Sequence, residues 1–227
     1  MVGVPVRMSP VLRAVVAALA VSACAQSGTN NLDATYLNRY ARPNPTLTDI
    51  PVCHGFGCAV VSRASLSKQD WRRVAAEFRP QPKDAQDERR RVARAVAVMQ
   101  LLVGEQTGTA VHQWTHKALL VLPNFGDTSQ LDCVDEAVNT WTYMTMMERD
   151  GLLRFHHVPQ QLSYAGSLSD PNIRNTAVLQ EKSGGYFAID PSLVDAGVPA
   201  PVMPLSAWLA PWPPAISVSN ERVVVSR

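Results

Sequence analysis

Cys133 is the residue of this chain whose type and position best suit chemistry. It lies in segment 129–151, SQLDCVDEAVNTWTYMTMMERDG, in which apolar residues recur at the spacing of one helix face. The segment predicts a helix that starts at Cys133, has Asp132 or Ser129 as its N-cap and ends at Gly151. Three roles for the thiol are open: a nucleophile, half of a disulfide, or a small residue that fills the core.

The charges around Cys133 decide whether its thiol can react. A helix N-terminus stabilises a thiolate by at most about 2 kcal/mol, which lowers a thiol pKa by about one unit. The carboxylates of Asp132, Asp135 and Glu136 oppose this effect because they disfavour another negative charge. Cys133 therefore needs a histidine or another cation in contact with it to act as a nucleophile.

The N-terminal residues predict export and lipid attachment. Arg7 and Arg13 precede the apolar run AVVAALAV, which is shorter than the roughly 20 residues that span a bilayer. The run leads into LAVSAC at 19–24, which resembles a bacterial lipobox, where cleavage precedes a cysteine that is then lipidated. We therefore expect Cys24 to carry acyl chains that hold the protein on a membrane.

Removal of the signal peptide, residues 1–23, sets the charge balance and the compartment. Without its two arginines the 21 basic residues fall to 19, against 19 acidic ones, and this balance argues against nucleic-acid binding. Export predicts a periplasm-facing position in the cell envelope. Ala25 stands where many lipoproteins retained in the inner membrane carry an aspartate, so the outer membrane is favoured.

Export also sets the expected state of the other cysteines. In an oxidising compartment Cys53 and Cys58, in the sequence CHGFGC, are expected to form a disulfide, which leaves Cys133 as the odd thiol. The alternative is a metal site that uses His54. A second ligand pair at suitable spacing is absent from the sequence, so neither a metal nor another cofactor is predicted.

Two helices are predicted before the helix that carries the cysteine. Ser67 and Asp70 have the spacing of a capping box in front of an apolar helix face. A second helix, capped by Asp84, is expected over about residues 85–102 and should stop near Gly104.

Strands are predicted after the helix that carries the cysteine. Residues 152–158, LLRFHHV, alternate as a strand does, and residues 175–190 predict a hairpin with its turn at KSGG. Helices first, then a helix and a small antiparallel sheet, predict an α+β fold. The single domain is expected over 52–210, between a flexible tether at 24–51 and a proline-rich tail at 211–227.

The order of these elements resembles that of the transglutaminase-like and papain-like cysteine enzymes. The segments QLDCVDEAVNTWTYM, DGLLRFHHV, TAVLQEKSGGYFAIDP and PLSAWL also resemble a group of proteobacterial exported proteins. The resemblance implies a transglutaminase-like layout in which Cys133 is the nucleophile, Asp190 orients a histidine and Gln130 donates to an oxyanion. At the position of that histidine this chain has Arg174 and Asn175.

His156 and His157 are the substitutes that the preceding strand offers. Strand alternation sends them to opposite faces, and His157 shares its face with Leu153 and Phe155. His157 is therefore expected to be the inward histidine if that apolar set meets the core.

Two functions are hypotheses at this stage. The favoured one is a lipid-anchored envelope protein with a non-catalytic, binding or structural module, since Arg174 cannot act as a general base. The alternative is a thiol peptidase or amide-bond transferase that acts on envelope protein or peptidoglycan peptides. There Cys133 would attack the amide, His157 would move the proton and Asp190 would orient it. In both cases the membrane is a partner through Cys24.

Overall fold

The computed structural model describes six stretches of the chain, residues 31–32, 44–111, 128–160, 162–165, 174–210 and 221–225. The predicted signal peptide and the lipidation site Cys24 lie outside these stretches. Within them, no helix combines the length and the apolar composition that crossing a bilayer requires.

The N-terminal caps of the three longer helices are among those that the sequence predicts. The helices are α1 (Lys68–Ala76), α2 (Ala85–Thr107), α3 (Cys133–Arg149) and the short α4 (Leu205–Trp208). Ser67 and Asp70 form the capping box of α1, and Asp84 caps α2. Asp132, and not Ser129, caps α3, and Asp135 completes a second capping box there. Satisfied N–H groups at the first turn explain why α1, α2 and α3 start where they do.

The end of α2 differs from the sequence-based expectation. The predicted stop near Gly104 is wrong, because the helix continues to Thr107 and ends at Gly108, whose φ is +79°. Gly104 serves close packing instead: a Cβ there would lie 2.6 Å from the backbone nitrogen of Ala110. Gly104 allows a close approach of the backbone at Ala110, whereas Gly108 has the left-handed conformation that ends a helix.

Two antiparallel sheets complete the α+β fold. The larger sheet contains β1 (Asn31–Leu32), β4 (His156–His157), β5 (Leu162–Ala165), β6 (Arg174–Glu181), β7 (Tyr186–Ile189) and β8 (Val202–Pro204). Its order is β1-β5-β6-β7-β8, and β4 pairs with β6 as well. The smaller sheet is the hairpin β2 (Ile50–His54) and β3 (Val60–Ala64). The hairpin predicted over 175–190 is confirmed as β6 and β7, with Ala177 opposite Ile189.

The sheet lies between two apolar clusters of unequal size. Ala177 and Leu179 of β6 belong to the main core, which contains buried residues of α1, α2, α3 and β2. Val178, between them, packs in a smaller cluster with Trp208 of α4. Strand alternation explains this division and places α3 and α4 on opposite faces of β6.

Parts of the predicted tether and tail contribute to the fold. Asn31 and Leu32 pair with β5, and β2 begins at Ile50. Val223 is buried in the main core, and its N–H donates to the carbonyl of Gly197. The described part of the chain therefore includes folded residues on both sides of 52–210.

The predicted strand at 152–158 is shorter than expected. Only His156 and His157 form β4. The N–H groups of Arg154 and Phe155 donate to the carboxylate of Glu88 on α2, at 2.7 and 3.0 Å, and not to a neighbouring strand. A buried side-chain acceptor therefore replaces the strand ladder over this part of the segment.

Candidate functional site

Cys133 begins α3 and faces β6 through Asn175. The side-chain Nδ2 of Asn175 donates to Cys133 Sγ at 3.5 Å. Asn175 is 3% exposed, and its Oδ1 has no hydrogen-bond partner within the residues that the structure describes. The sequence placed Arg174 and Asn175 together at the histidine position, and the structure shows that Asn175 is the one that contacts the sulfur. A carboxamide does not take up a proton near neutral pH, so this contact cannot activate the thiol.

The surroundings of Cys133 disfavour the thiolate. Burial raises the pKa of the Cys133 thiol to about 11, and the charges of Asp132 and Asp190 act in the same direction. The hydrogen bond from Asn175 lowers this pKa but does not offset burial. The Cys133 side chain is therefore a protonated thiol at neutral pH, despite its place in the first turn of a helix.

Asp190 does not orient the residue that contacts Cys133. Its Oδ1 accepts from the N–H and hydroxyl of Ser192, at 3.2 and 2.6 Å, and its Oδ2 accepts from Trp208 Nε1 at 2.7 Å. Burial raises the pKa of the Asp190 carboxyl. Asp190 lies on the same face of the sheet as Ala188, the face against which Trp208 packs. Asn175 lies on the opposite face. The carboxylate fixes the C-terminal segment to the sheet.

Arg174 belongs to the same cluster as Asp190. Its Nη2 donates to the carbonyls of Trp208 and Ala210, at the end of α4. Its guanidinium carbon lies 4.9 Å from the Trp208 ring centroid. A cation at a helix C-terminus and over an indole is favourable. Arg174 therefore anchors α4 and does not face Cys133.

The histidines of β4 have the opposite orientation to the one expected. His156 is fully buried and lies between Glu88 Oε1, at 2.8 Å from its Nδ1, and Arg89 Nη1, at 3.2 Å from its Nε2. The side chain of His157 is 58% exposed and lies 3.0 Å from Glu148 Oε1. The expectation that His157 faces inward is wrong, because Glu88 binds the backbone just before β4 and turns His156 toward α2.

The register of the sheet also separates His157 from Cys133. His157 is opposite Gln180 on β6. Asn175 lies five residues away along that strand, a distance of about 17 Å. Proton transfer needs contact or one bridging water, so the structure does not bring His157 together with Cys133.

The third described histidine, His54, is held at the β2–β3 hairpin. Its Nδ1 lies 2.7 Å from the carbonyl of Thr128, and its Nε2 lies 2.8 Å from Ser62 Oγ. His112 and His116 lie outside the described residues. Among the described histidines, each therefore has partners other than the Cys133 thiol.

Gln130 is the residue that the resemblance suggests as an oxyanion donor. Its backbone carbonyl accepts from the N–H of Gly55 at 3.1 Å. Its side-chain Nε2 donates to Ser129 Oγ at 3.2 Å. The structure thus uses Gln130 to join the CHGFGC loop to the residues before α3.

The predicted Cys53–Cys58 disulfide is confirmed, and its loop docks on the first turn of α3. Four consecutive loop residues, 55–58, have φ values between 57° and 78°. Such left-handed stretches cannot form a ladder with a neighbouring strand, so their N–H groups need other acceptors. Those of Phe56 and Cys58 donate to Asp135, at 2.9 and 2.6 Å, and that of Gly57 donates to Asp132 at 2.9 Å.

The disulfide loop and Asp135 also contain the groups that a metal site in this loop would use. Cys53, Cys58 and Asp135 place their sulfur and oxygen atoms within 4.8 Å of one another. The two sulfurs are bonded to each other, and the carboxylate accepts three backbone N–H groups, including that of Asp132 at 3.1 Å. The residues present therefore fit a disulfide-closed loop better than a cation.

Sequence reasoning did not identify two carboxyl groups of α3 that are buried and have raised pKa values. Burial and the neighbouring Asp132 raise the pKa of Asp135 to about 7. Burial raises the pKa of Glu136 to about 8, and Gln100 Nε2 donates to both of its oxygens at 3.2 and 3.1 Å. The available signal in the sequence was their position among the apolar residues of α3. A carboxyl on an apolar helix face is expected to be buried.

The side chains around Cys133 differ from those that an active thiol requires. Cys133 has the helix-start position, but an amide contacts it and Asp190 bonds elsewhere. Comparison of the chain with known protein families, with curated proteins and with solved structures finds no match.

Proposed function

We propose that this protein is a lipid-anchored protein of the cell envelope whose folded domain is a non-catalytic, degenerate transglutaminase-like module with a binding or structural role. The observation that carries the non-catalytic part of the proposal is the contact between Cys133 Sγ and Asn175 Nδ2 at 3.5 Å. In a thiol enzyme this place belongs to a base that can take the proton of the sulfur. Asn175 cannot take it, so Cys133 acts as a half-buried, inert thiol in the packing between α3 and β6.

Thiol alkylation tests the inert state of Cys133. We expect iodoacetamide to modify Cys133 of the folded protein at pH 7.4 at least about tenfold more slowly than a cysteine in a peptide, whose pKa is about 8.5. The reason is that burial raises the pKa of this thiol to about 11. The rate is measured by mass spectrometry, and Cys133→Ser identifies the site.

A matched pair of substitutions makes this test sharper. Asn175→His places a base beside the sulfur and should speed alkylation at least about tenfold, whereas Asn175→Gln retains an amide and should not. Circular dichroism confirms that each variant is folded. Rapid labelling of the wild-type protein that persists at acidic pH would show an activated thiol and would contradict the proposal.

The membrane anchor has a separate test. Cys24→Ala removes the thiol that the lipobox resemblance assigns to acylation. We expect this change to move the protein from the membrane fraction to the soluble fraction, because the acyl chains supply the binding energy. Cys133→Ala serves as the control and should leave the protein in the membrane fraction. Retention of the Cys24→Ala protein in the membrane would show that the anchor has another origin.

A further inference from the structure

A groove of about 250 Å³ opens at the C-terminal end of α3, away from the Cys133 region. Leu47, Trp71 and Met146 contribute its apolar surface, and Arg149 and Asp150 contribute its charged groups. Since α3 has 17 residues, its two ends are about 24 Å apart. The groove is thus a separate place on the molecule.

Two hydrogen bonds hold the walls of this groove in position. Trp71 Nε1 donates to Asp150 Oδ2 at 2.8 Å, which ties α1 to the end of α3. Arg149 Nη1 donates to the carbonyl of Pro45 at 2.7 Å, which ties the segment before β2 to the same end. Because each wall is fixed by a bond to another element, the groove exists before any ligand arrives.

The charged groups of the groove keep capacity for a ligand. Arg149 and Asp150 are both exposed. The guanidinium of Arg149 has five N–H donors. Within the described residues, one of them donates to the carbonyl of Pro45. Asp150 Oδ2 accepts from Trp71, and Oδ1 remains as an acceptor. An arginine and an aspartate side by side offer a paired donor and acceptor with no net charge.

This pairing selects a class of ligand. A polyanion is disfavoured because Asp150 repels it, and a fatty acid has no donor for Asp150. The last residue of a peptide has both partners next to each other: a carboxylate that suits Arg149 and an amide N–H that suits Asp150. The volume is below the 300–1,000 Å³ or so of sites for drug-sized ligands, so it suits one residue and not a cofactor.

We propose that this groove binds the C-terminal residue of a peptide, with its carboxylate on Arg149 and an aliphatic side chain against Trp71 and Met146. The inference goes beyond the proposed function, since it assigns a site and a class of partner. It depends neither on the state of Cys133 nor on lipidation, so the two proposals can fail separately.

Isothermal titration calorimetry with a matched pair of peptides tests this site. The probes are acetyl-Ala-Ala-Leu with a free C-terminal carboxylate and the same peptide with a C-terminal amide. We expect the acid to bind at least about tenfold more tightly than the amide, because the bond from Arg149 to a charged group is lost in the amide. Arg149→Gln should weaken binding of the acid by a similar factor, and Arg72→Gln, at an exposed position of α1, should not.

The comparison of the two peptides on the wild-type protein tests recognition of the C-terminal carboxylate without any variant. It remains valid even if Arg149→Gln disturbs the groove through loss of the Pro45 contact. Equal affinity for acid and amide, or no saturable binding of either at millimolar concentration, would overturn the proposal. So would unchanged binding of the acid by folded Arg149→Gln.

Discussion

The stability of this protein is expected to fall as the pH rises from about 4.5 to 8, and Glu136→Gln should remove much of that fall. Glu136 has a pKa of about 8 in the folded protein because it is buried, against an ordinary value of 4.5. Below pH 4.5 the carboxyl is protonated in both states, so its full contribution is present. As the pH rises further, the unfolded chain releases this proton readily and the folded protein does not.

The expected loss of stability follows from the difference between the pKa values of Glu136 in the unfolded and folded protein. Each pH unit costs about 1.4 kcal/mol per proton, so the free energy of unfolding should fall by roughly 5 kcal/mol in total through Glu136. Asp135, whose pKa is raised from 3.8 to about 7 by burial and by Asp132, acts in the same direction over its own window. The pH dependence that remains in Glu136→Gln should therefore end near pH 7.

Urea unfolding between pH 4.5 and 9 measures this effect. At pH 8 and above, Glu136→Gln should be more stable than the wild-type protein by roughly 3 kcal/mol, because a neutral amide replaces a buried charge. Gln100 can still donate to the new side-chain oxygen. Glu105→Gln, at an exposed position of α2, is the control and should follow the wild-type curve. Parallel curves for wild type and Glu136→Gln would refute the assignment.

Local signals in the sequence were sufficient to predict where the three longer helices begin and where the hairpin lies. Ser67 with Asp70, and Asp84, bind N–H groups within three residues, so the pattern contains the whole interaction. The same holds for the turn between β6 and β7, where Gly184 and Gly185 have the positive φ that the tight connection needs. The α+β class followed from these elements in order.

The candidate site could not be predicted in the same way, because its contacts join distant parts of the chain. Whether Arg174 or Asn175 faces Cys133 depends on the phase of β6 relative to α3. The orientation of His156 depends on Glu88, a residue of another helix. A shift by one residue exchanges the two faces of a strand, and the local sequence alone does not define this phase.

Asp135 is only a charge near Cys133 in the sequence, but in the structure it is the acceptor for three backbone N–H groups. Asp135→Ala should lower the free energy of unfolding by roughly 3–5 kcal/mol at pH 5, since the backbone N–H groups of Phe56, Cys58 and Asp132 lose their acceptor. This pH lies below the pKa of about 7, so the carboxyl is mostly protonated and its removal relieves little buried charge. Asp49→Ala, which breaks an exposed ion pair with Arg63, should cost less than about 1 kcal/mol.

Combination with the disulfide distinguishes a loop-holding role of Asp135 from a general packing role. Cys53 and Cys58 close the same loop that Asp135 binds, so either change alone should release its left-handed backbone. The double change Cys53→Ser with Cys58→Ser, added to Asp135→Ala, should therefore cost less than the sum of the separate losses. Urea unfolding of the four proteins at pH 5 gives the coupling. Strictly additive losses would mean that the disulfide and the carboxylate stabilise different parts of the protein, and that the acidic first turn of α3 has another role than holding this loop.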